Sequence, residues 1–317
     1  MSIFVSELAT DLEAFLSFKR SLGYGYRRAE FTLRDFDRFV CAQSYRRCDL
    51  GIAIQSWLAA KPARKAVSVT NELGVVRQFC LHRRRRHPST PVPGRHWAPQ
   101  STQSKFLPFI FTHEQVLDLV HRASSLDRPR FRGTVYRALL LVLYCTGIRF
   151  GEALRLRLRH VDMDRKLLFI AESKGRSRWV PFDRSLAWEL AQYVRARRAR
   201  AAEGPDDRFF VGIDRRQLPT NTAWHTISRL LREAGLKPPS GRVGPRPYDL
   251  RHTFAVHRLV RWYRAGVDIN GRLPWLSAYM GHDNLLGTER YLTATPELMA
   301  TASHRLERLL ARRSHSP

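Results

Sequence analysis

At 317 residues the chain is long enough for two domains, each with a core of its own. Its 44% hydrophobic content and seven tryptophans mark a globular protein, and its longest apolar run, Ala138 to Cys145, falls far short of a bilayer span of ~20 residues. The formal net charge is +27: residues 1–105 carry 18 basic against 8 acidic side chains, a net of +10, and the remainder carries +17. Both halves are therefore basic, which favours a nucleic acid over a membrane surface or an acidic protein, because each neutralised phosphate releases counterions. No basic segment precedes an apolar stretch at the N-terminus, so no signal peptide is expected and the chain reads as cytoplasmic and nucleoid-associated. Cys41, Cys48, Cys80 and Cys145 lack CxxC spacing and an accompanying histidine cluster, so no metal site is expected.

In chain order, Phe4, Leu8, Leu12, Phe15 and Leu16 form one helical stripe, broken near Gly23-Tyr24-Gly25-Tyr26. Phe31, Leu33, Phe36, Phe39 and Val40 predict a second helix, and Ile52, Ile54, Trp57 and Leu58 a third. Leu73, Val76, Phe79 and Cys80 predict a fourth, ending in the run Arg83, Arg84, Arg85 and Arg86. These elements make a helical bundle over residues 1–92, followed by a proline-containing linker over 93–105. The basic run is either a solvated helix end or a set of phosphate contacts, and the charge of the chain favours the second.

A second domain, 106–317, opens with the capping-box spacing of Thr112 and Gln115 before Val116, Leu117, Leu119 and Val120. A helix is predicted from about Gly133 to Cys145, ended by Gly147, and another from about Arg149. Lys166–Ala171 and Arg178–Phe182 read as strands joined by a hairpin through Lys174-Gly175. From 184 onwards the pattern is helical, with loops near Gly204 and Pro238. The fold class is thus mainly α with a small β-sheet (α+β).

Chemistry concentrates in this second part. Arg149 lies in Thr146-Gly147-Ile148-Arg149-Phe150-Gly151-Glu152, Arg251 in Leu250-Arg251-His252-Thr253, and His282 follows Gly281 with Tyr291 nine positions later. A phosphodiester attacked by a tyrosine oxygen builds negative charge on its non-bridging oxygens, and its leaving hydroxyl needs a proton. Arginine suits the first task, since its planar fork donates two bonds to phosphate at any working pH. Lysine on a hairpin suits the second. Tyrosine attack also conserves the phosphodiester bond energy covalently, so rejoining needs no nucleotide. Each residue has a plainer alternative: structural salt bridges for Arg149 and Arg251, an intrahelical ion pair for Glu152, a solvated turn for Lys174, packing for His282 and Tyr291.

The ordered set Arg149, Lys174, Arg251, His282, Tyr291 resembles the tyrosine recombinase, or phage integrase, family. Thr-Gly-Ile-Arg-x-x-Glu, Leu-Arg-His-Thr-Phe-Ala and Gly-His-x8-Tyr are weak motifs singly and a strong signal together. The resemblance implies a SAM-like core-binding bundle and a catalytic domain clamping double-stranded DNA, with strand exchange through a 3′-phosphotyrosyl intermediate. It further implies a homo-tetramer on two duplexes, with or without partner recombinases, and no metal or nucleotide cofactor. By this resemblance Tyr291 is the nucleophile, Arg149, Arg251 and His282 stabilise the phosphate, and Lys174 is the general acid; Glu152, one helical turn after Arg149 and on the same face, reads as orienting it. Arg176 and Arg178, beside the hairpin, read as backbone-phosphate contacts, and the segment Gln217, Thr220, Asn221 and Trp224 to Arg229 as one that reaches bases.

The family usually places histidine three residues before the second arginine, where this chain has Tyr248. Tyrosine, with a reference pKa near 10, is a poor base at neutral pH. Either Tyr248 only positions the phosphate, or Asp249 or His252 takes part in handling the nucleophile's proton. The C-terminal stripe Leu298, Met299, Leu306, Leu309 and Leu310 docks either on its own domain or on a neighbouring protomer. Two other readings share these residues: a catalytically silent DNA-binding regulator and a type IB topoisomerase acting on one duplex.

Overall fold

The computed structural model describes residues 3–61, 64–99, 108–126, 131–173, 176–199, 204–241 and 243–282. The chain divides into two compact units, Met1–Phe106 and Leu107–Pro317. No described helix is long and apolar enough to cross a membrane.

The first unit contains helices α1 (Ala9–Ser21), α2 (Arg27–Ala42), α3 (Leu50–Ala59) and α4 (Ala66–Arg83). Leu12, Phe15, Phe36, Ile54, Trp57, Val76 and Phe79 close its core at 1% exposure or less. Asp37 anchors the N-terminal segment, its carboxylate accepting from Val5 N at 2.7 Å, Ser6 N at 3.1 Å and Ser6 Oγ at 2.5 Å. The stretch read as the beginning of a linker is packed on this unit, with Ala98 in the core and Val92 and Trp97 against it. The apolar residues among the prolines keep the chain on the bundle.

Arg83 ends α4 and is buried, its Nε 2.7 Å from Asp11 Oδ2 and its Nη1 2.9 Å from Thr90 Oγ1. It ties α1 to the segment after α4, so the reading of Arg83 as a phosphate contact gives way to an internal ion pair. Arg84, Arg85 and Arg86 follow it on the surface.

In the second unit, α5 (His113–Ser124) starts with the expected capping box: Thr112 Oγ1 accepts from Gln115 N and Gln115 Oε1 from Thr112 N. Helix α6 (Phe131–Thr146) is the hub, buried on most sides and packed against α5, α8 (Arg184–Arg198) and α10 (Asp249–Arg264). A Cβ on Gly133 would lie 2.6 Å from the Ser124 carbonyl oxygen, so only glycine lets α5 and α6 come this close. After α6, Gly147 takes φ +60° and the short α7 (Phe150–Arg155) begins.

The sheet has the order β1-β2-β3, all antiparallel: β1 (Val161–Asp162), β2 (Leu167–Ser173) and β3 (Arg176–Pro181). Both predicted strands are present, and β1 is an addition too short to show periodicity. The pairing Leu168↔Val180 and Ile170↔Arg178 sets the register, with an irregularity between Ile170 and Ser173. Helices α9 (Thr220–Glu233) and α11 (Ile269–Met280) complete the described second unit.

Gly147→Ala tests how tightly this frame is built. An added Cβ would sit 2.3 Å from Phe254 Cδ1 on a left-handed backbone. Strain and overpacking together should cost about 2–4 kcal/mol, seen as a lower thermal midpoint of the full chain; an unchanged midpoint would mean that the Phe254 ring yields freely.

Candidate active site

Three arginines from distant parts of the second unit meet at the C-terminal end of α11. The last turn of that helix closes in a Schellman pattern, with Gly281 left-handed at φ +67°, its N–H on the Ala278 carbonyl and the His282 N–H on the Ser277 carbonyl at 3.0 Å. The three carbonyls that follow in sequence each accept from a different guanidinium. Arg178 Nε donates to Tyr279 O at 2.8 Å, Arg251 Nη2 to Met280 O at 2.7 Å, and Arg149 Nη2 to Gly281 O at 2.5 Å. A helix C-terminus leaves carbonyls without intrahelical partners and carries the negative end of the helix dipole, so cations are its natural partners.

Local structure explains how each arginine arrives. Arg149 is the extended N-cap residue of α7, and Glu152 three residues on returns a carboxylate oxygen to its N–H at 2.9 Å. Arg251 is in the first turn of α10, 2% exposed, and its Nη1 donates to the Gly147 carbonyl at 2.7 Å, joining α10 to the turn after α6. Arg178 is on β3, two residues from the buried Val180, and period-two alternation turns both to the interior.

Glu152 sits among them with its side chain 0% exposed. It pairs with Arg149 Nη1 at 2.7 Å and with Arg178 Nη2 at 2.8 Å and Nη1 at 3.2 Å. Glu152 therefore pairs with both Arg149 and Arg178. Arg178 is not spread over the surface as a phosphate contact would be. Alternation along β3 already placed it on the inner face, a signal available in the sequence that its charge outweighed.

His282 follows this turn directly, just after the end of α11. Burial pushes its imidazole down to about 4, helped by the cations of Arg251, Arg149 and Arg178 and by His252. The ring is therefore neutral at physiological pH, with one donor and one acceptor nitrogen. Tyr248 caps α10, half-buried, with its ring edge-on to His252 at 5.1 Å. Asp249 is buried and committed to Arg246, accepting from its N–H at 2.8 Å and from Nη2 at 2.9 Å. Tyr279 donates its hydroxyl to the Pro181 carbonyl at 3.1 Å and stacks on Phe254, and burial raises its pKa well above that of free tyrosine. Arg176 is exposed at the start of β3. Lys174, Tyr291 and the C-terminal stripe from Leu298 to Leu310 lie outside the described residues. Among the described residues no group of three or more His, Cys, Asp or Glu is arranged to hold a metal ion.

The model of the phage integrase family matches residues 110–297. Over 304 residues the chain is 34% identical to a protein of Sinorhizobium fredii named integrase/recombinase y4rB, covering 94% of this chain and 96% of that one. It is 31% identical over 204 residues to the tyrosine recombinase XerA of Thermococcus kodakarensis, 63% of each chain. In fold it is similar to the Tn1549 transposon integrase in complex with circular intermediate DNA, with a TM-score of 0.65 over 94% of this chain and 99% of that one, at 14% identity.

The depressed imidazole has a measurable consequence. The folded state binds this proton more weakly than the unfolded chain, so the contribution of His282 to stability is full above about 6.5 and is lost as the pH falls toward about 4. NMR titration of the ring should give a midpoint near 4 in the native chain, and Arg251→Gln should raise it by removing the strongest of the neighbouring positive charges that oppose protonation. A native midpoint near 6.5 would mean that the ring is solvated.

Proposed function

This chain belongs to the phage integrase family and is a tyrosine-type site-specific DNA recombinase; we propose that it cuts and rejoins DNA through Tyr291 on behalf of a mobile element. The observation that carries the site assignment is the convergence of Arg149 and Arg251 on neighbouring carbonyls beside His282. Their guanidiniums are fixed before DNA arrives, so they stabilise charge with no reorganisation at the moment of reaction.

In the proposed step the Tyr291 oxygen attacks phosphorus, the bond to the 5′-oxygen breaks, and a 3′-phosphotyrosyl bond forms. Lys174 gives a proton to the departing 5′-oxygen. Arg149 and Arg251 face the non-bridging oxygens. His282, neutral, donates a hydrogen bond to the phosphate or accepts the tyrosine proton. A bound phosphate would bring negative charge among the cations that depress its pKa and so raise it towards the working range. Asp249 is the weakest of the three candidates for the base, since Arg246 holds its carboxylate, while Tyr248 and His252 are adjacent groups able to position the phosphate. Attack of the 5′-hydroxyl of another strand on the phosphotyrosine reverses the step and completes exchange.

We further propose that the enzyme works in the cytoplasm on the nucleoid, as a homo-tetramer on two duplexes. The core-binding unit and the catalytic unit both supply cations to the DNA, with Arg84, Arg85, Arg86 and Arg176 as candidates. No metal is required in this mechanism, because two arginines and a lysine cover the charge and proton demands.

Suicide DNA substrates, nicked to lose the 5′-hydroxyl strand after cleavage, test this reading. The native chain should form an SDS-resistant adduct in EDTA, and Tyr291→Phe should form none. Lys174→Ala should lower cleavage by about 10²–10⁴-fold, and a substrate with sulfur in the 5′-bridging position should restore much of it, since a thiolate leaves without a proton. Tight binding with no adduct on any DNA would favour the silent regulator. Relaxation of a single duplex with no exchange between two sites would favour the topoisomerase reading.

A further inference from the structure

Arg178 bonds the protein through all three of its guanidinium nitrogens. Its Nε holds the Tyr279 carbonyl at 2.8 Å, and its two terminal nitrogens grip both oxygens of Glu152 at 3.2 and 2.8 Å. Glu152 in turn bonds Arg149 through the side chain at 2.7 Å and the backbone N–H at 2.9 Å. One fully buried carboxylate thus links the two arginines, and any shift of Arg178 is passed to Arg149. Releasing it towards a phosphate would leave that carboxylate short of a partner inside the protein, which is costly.

The fit of Arg178 against the turn is equally close. A Cβ on Gly281 would lie 2.8 Å from Arg178 Nη1 and 3.0 Å from its Cζ, so the guanidinium lies against the bare backbone of the residue before His282. Glycine at 281 therefore has two reasons: the left-handed φ and the space for Arg178. In sequence Arg178 also stands four residues after Lys174, on the strand that follows the hairpin.

We propose that Arg178 is a positioning residue for strand cleavage, bracing Glu152, Arg149 and the turn that carries His282, and is not a DNA contact. The proposal rests on the recombinase reading for its activity arm alone. Lysine could replace the charge of Arg178 but not its three-way grip, since an ammonium is a point charge without a planar fork.

The experiment compares the native full chain with Arg178→Ala, Arg178→Lys and Arg176→Ala, each checked for an intact thermal transition. Three quantities are read: the salt dependence of DNA binding, the single-turnover rate of adduct formation at saturating suicide DNA, and the NMR titration of His282 without DNA. Arg178→Ala and Arg178→Lys should keep the salt slope, and their saturated rate should fall by about 10- to 100-fold, as expected when a reacting group is misplaced by about 1 Å. Arg178→Ala should also raise the His282 midpoint, whereas Arg178→Lys, which keeps the positive charge, should raise it less. Arg176→Ala, at an exposed candidate DNA contact, should lower the salt slope by about one and serves as the phosphate-contact reference.

A salt slope reduced by about one with an unchanged saturated rate would make Arg178 a phosphate contact and overturn the proposal. Full activity of Arg178→Lys would overturn the fork argument. If the native chain forms no adduct at all, the recombinase reading fails separately, and the DNA-free arm decides: an unmoved His282 midpoint in Arg178→Ala would overturn the bracing role. Should Arg178→Ala not fold, Arg178→Lys carries the same rate and slope comparison.

Discussion

The end of one helix organises the candidate site. Where α11 stops, the carbonyls of Tyr279, Met280 and Gly281 would be left without partners, and three guanidiniums supply them. Each arginine comes from a different element, so the capping of a single helix draws together β3, α10 and the start of α7. The same contacts that complete the fold place three positive charges next to His282. Stability and the preparation of an anion site are here one set of bonds.

Such a concentration of charge needs a counterweight, and Glu152 provides it. Two like-charged guanidiniums face this one buried carboxylate, so removing Glu152 would leave both uncompensated, and breaking a buried pair in this way costs about 3–5 kcal/mol. The network is still net positive by composition, three arginines against one glutamate. That surplus contributes to holding His282 down to about 4, and a bound anion would relieve it. The site is in this sense incomplete without a negatively charged ligand, which is consistent with a chain whose formal charge is +27.

Much of the fold was legible in the amino-acid order. The stripes of α1 to α4 and the capping box of α5 follow from periodicity and from Thr112 and Gln115, which are local signals. Both long strands were legible for the same reason. Long-range pairing was not. Arg83 and Arg178 read as surface cations because charge is usually solvated, and nothing near them in sequence announces Asp11 or Glu152 as partners. The packing of Val92, Trp97 and Ala98 on the first unit was hidden by the prolines around them.

The sequence by itself determined the kind of chemistry: the family, the residue types and their order, and a net charge suited to a polyanion. These are properties of composition and spacing, which survive without coordinates. Only the tertiary structure decided which arginines share a partner, that Gly281 makes room for Arg178, and that His282 is neutral. Those facts depend on distances between groups more than a hundred residues apart in the chain, such as Arg149 and Gly281 or Arg178 and Tyr279. Spacing along a chain does not encode such distances; burial and the closing of a helix end do.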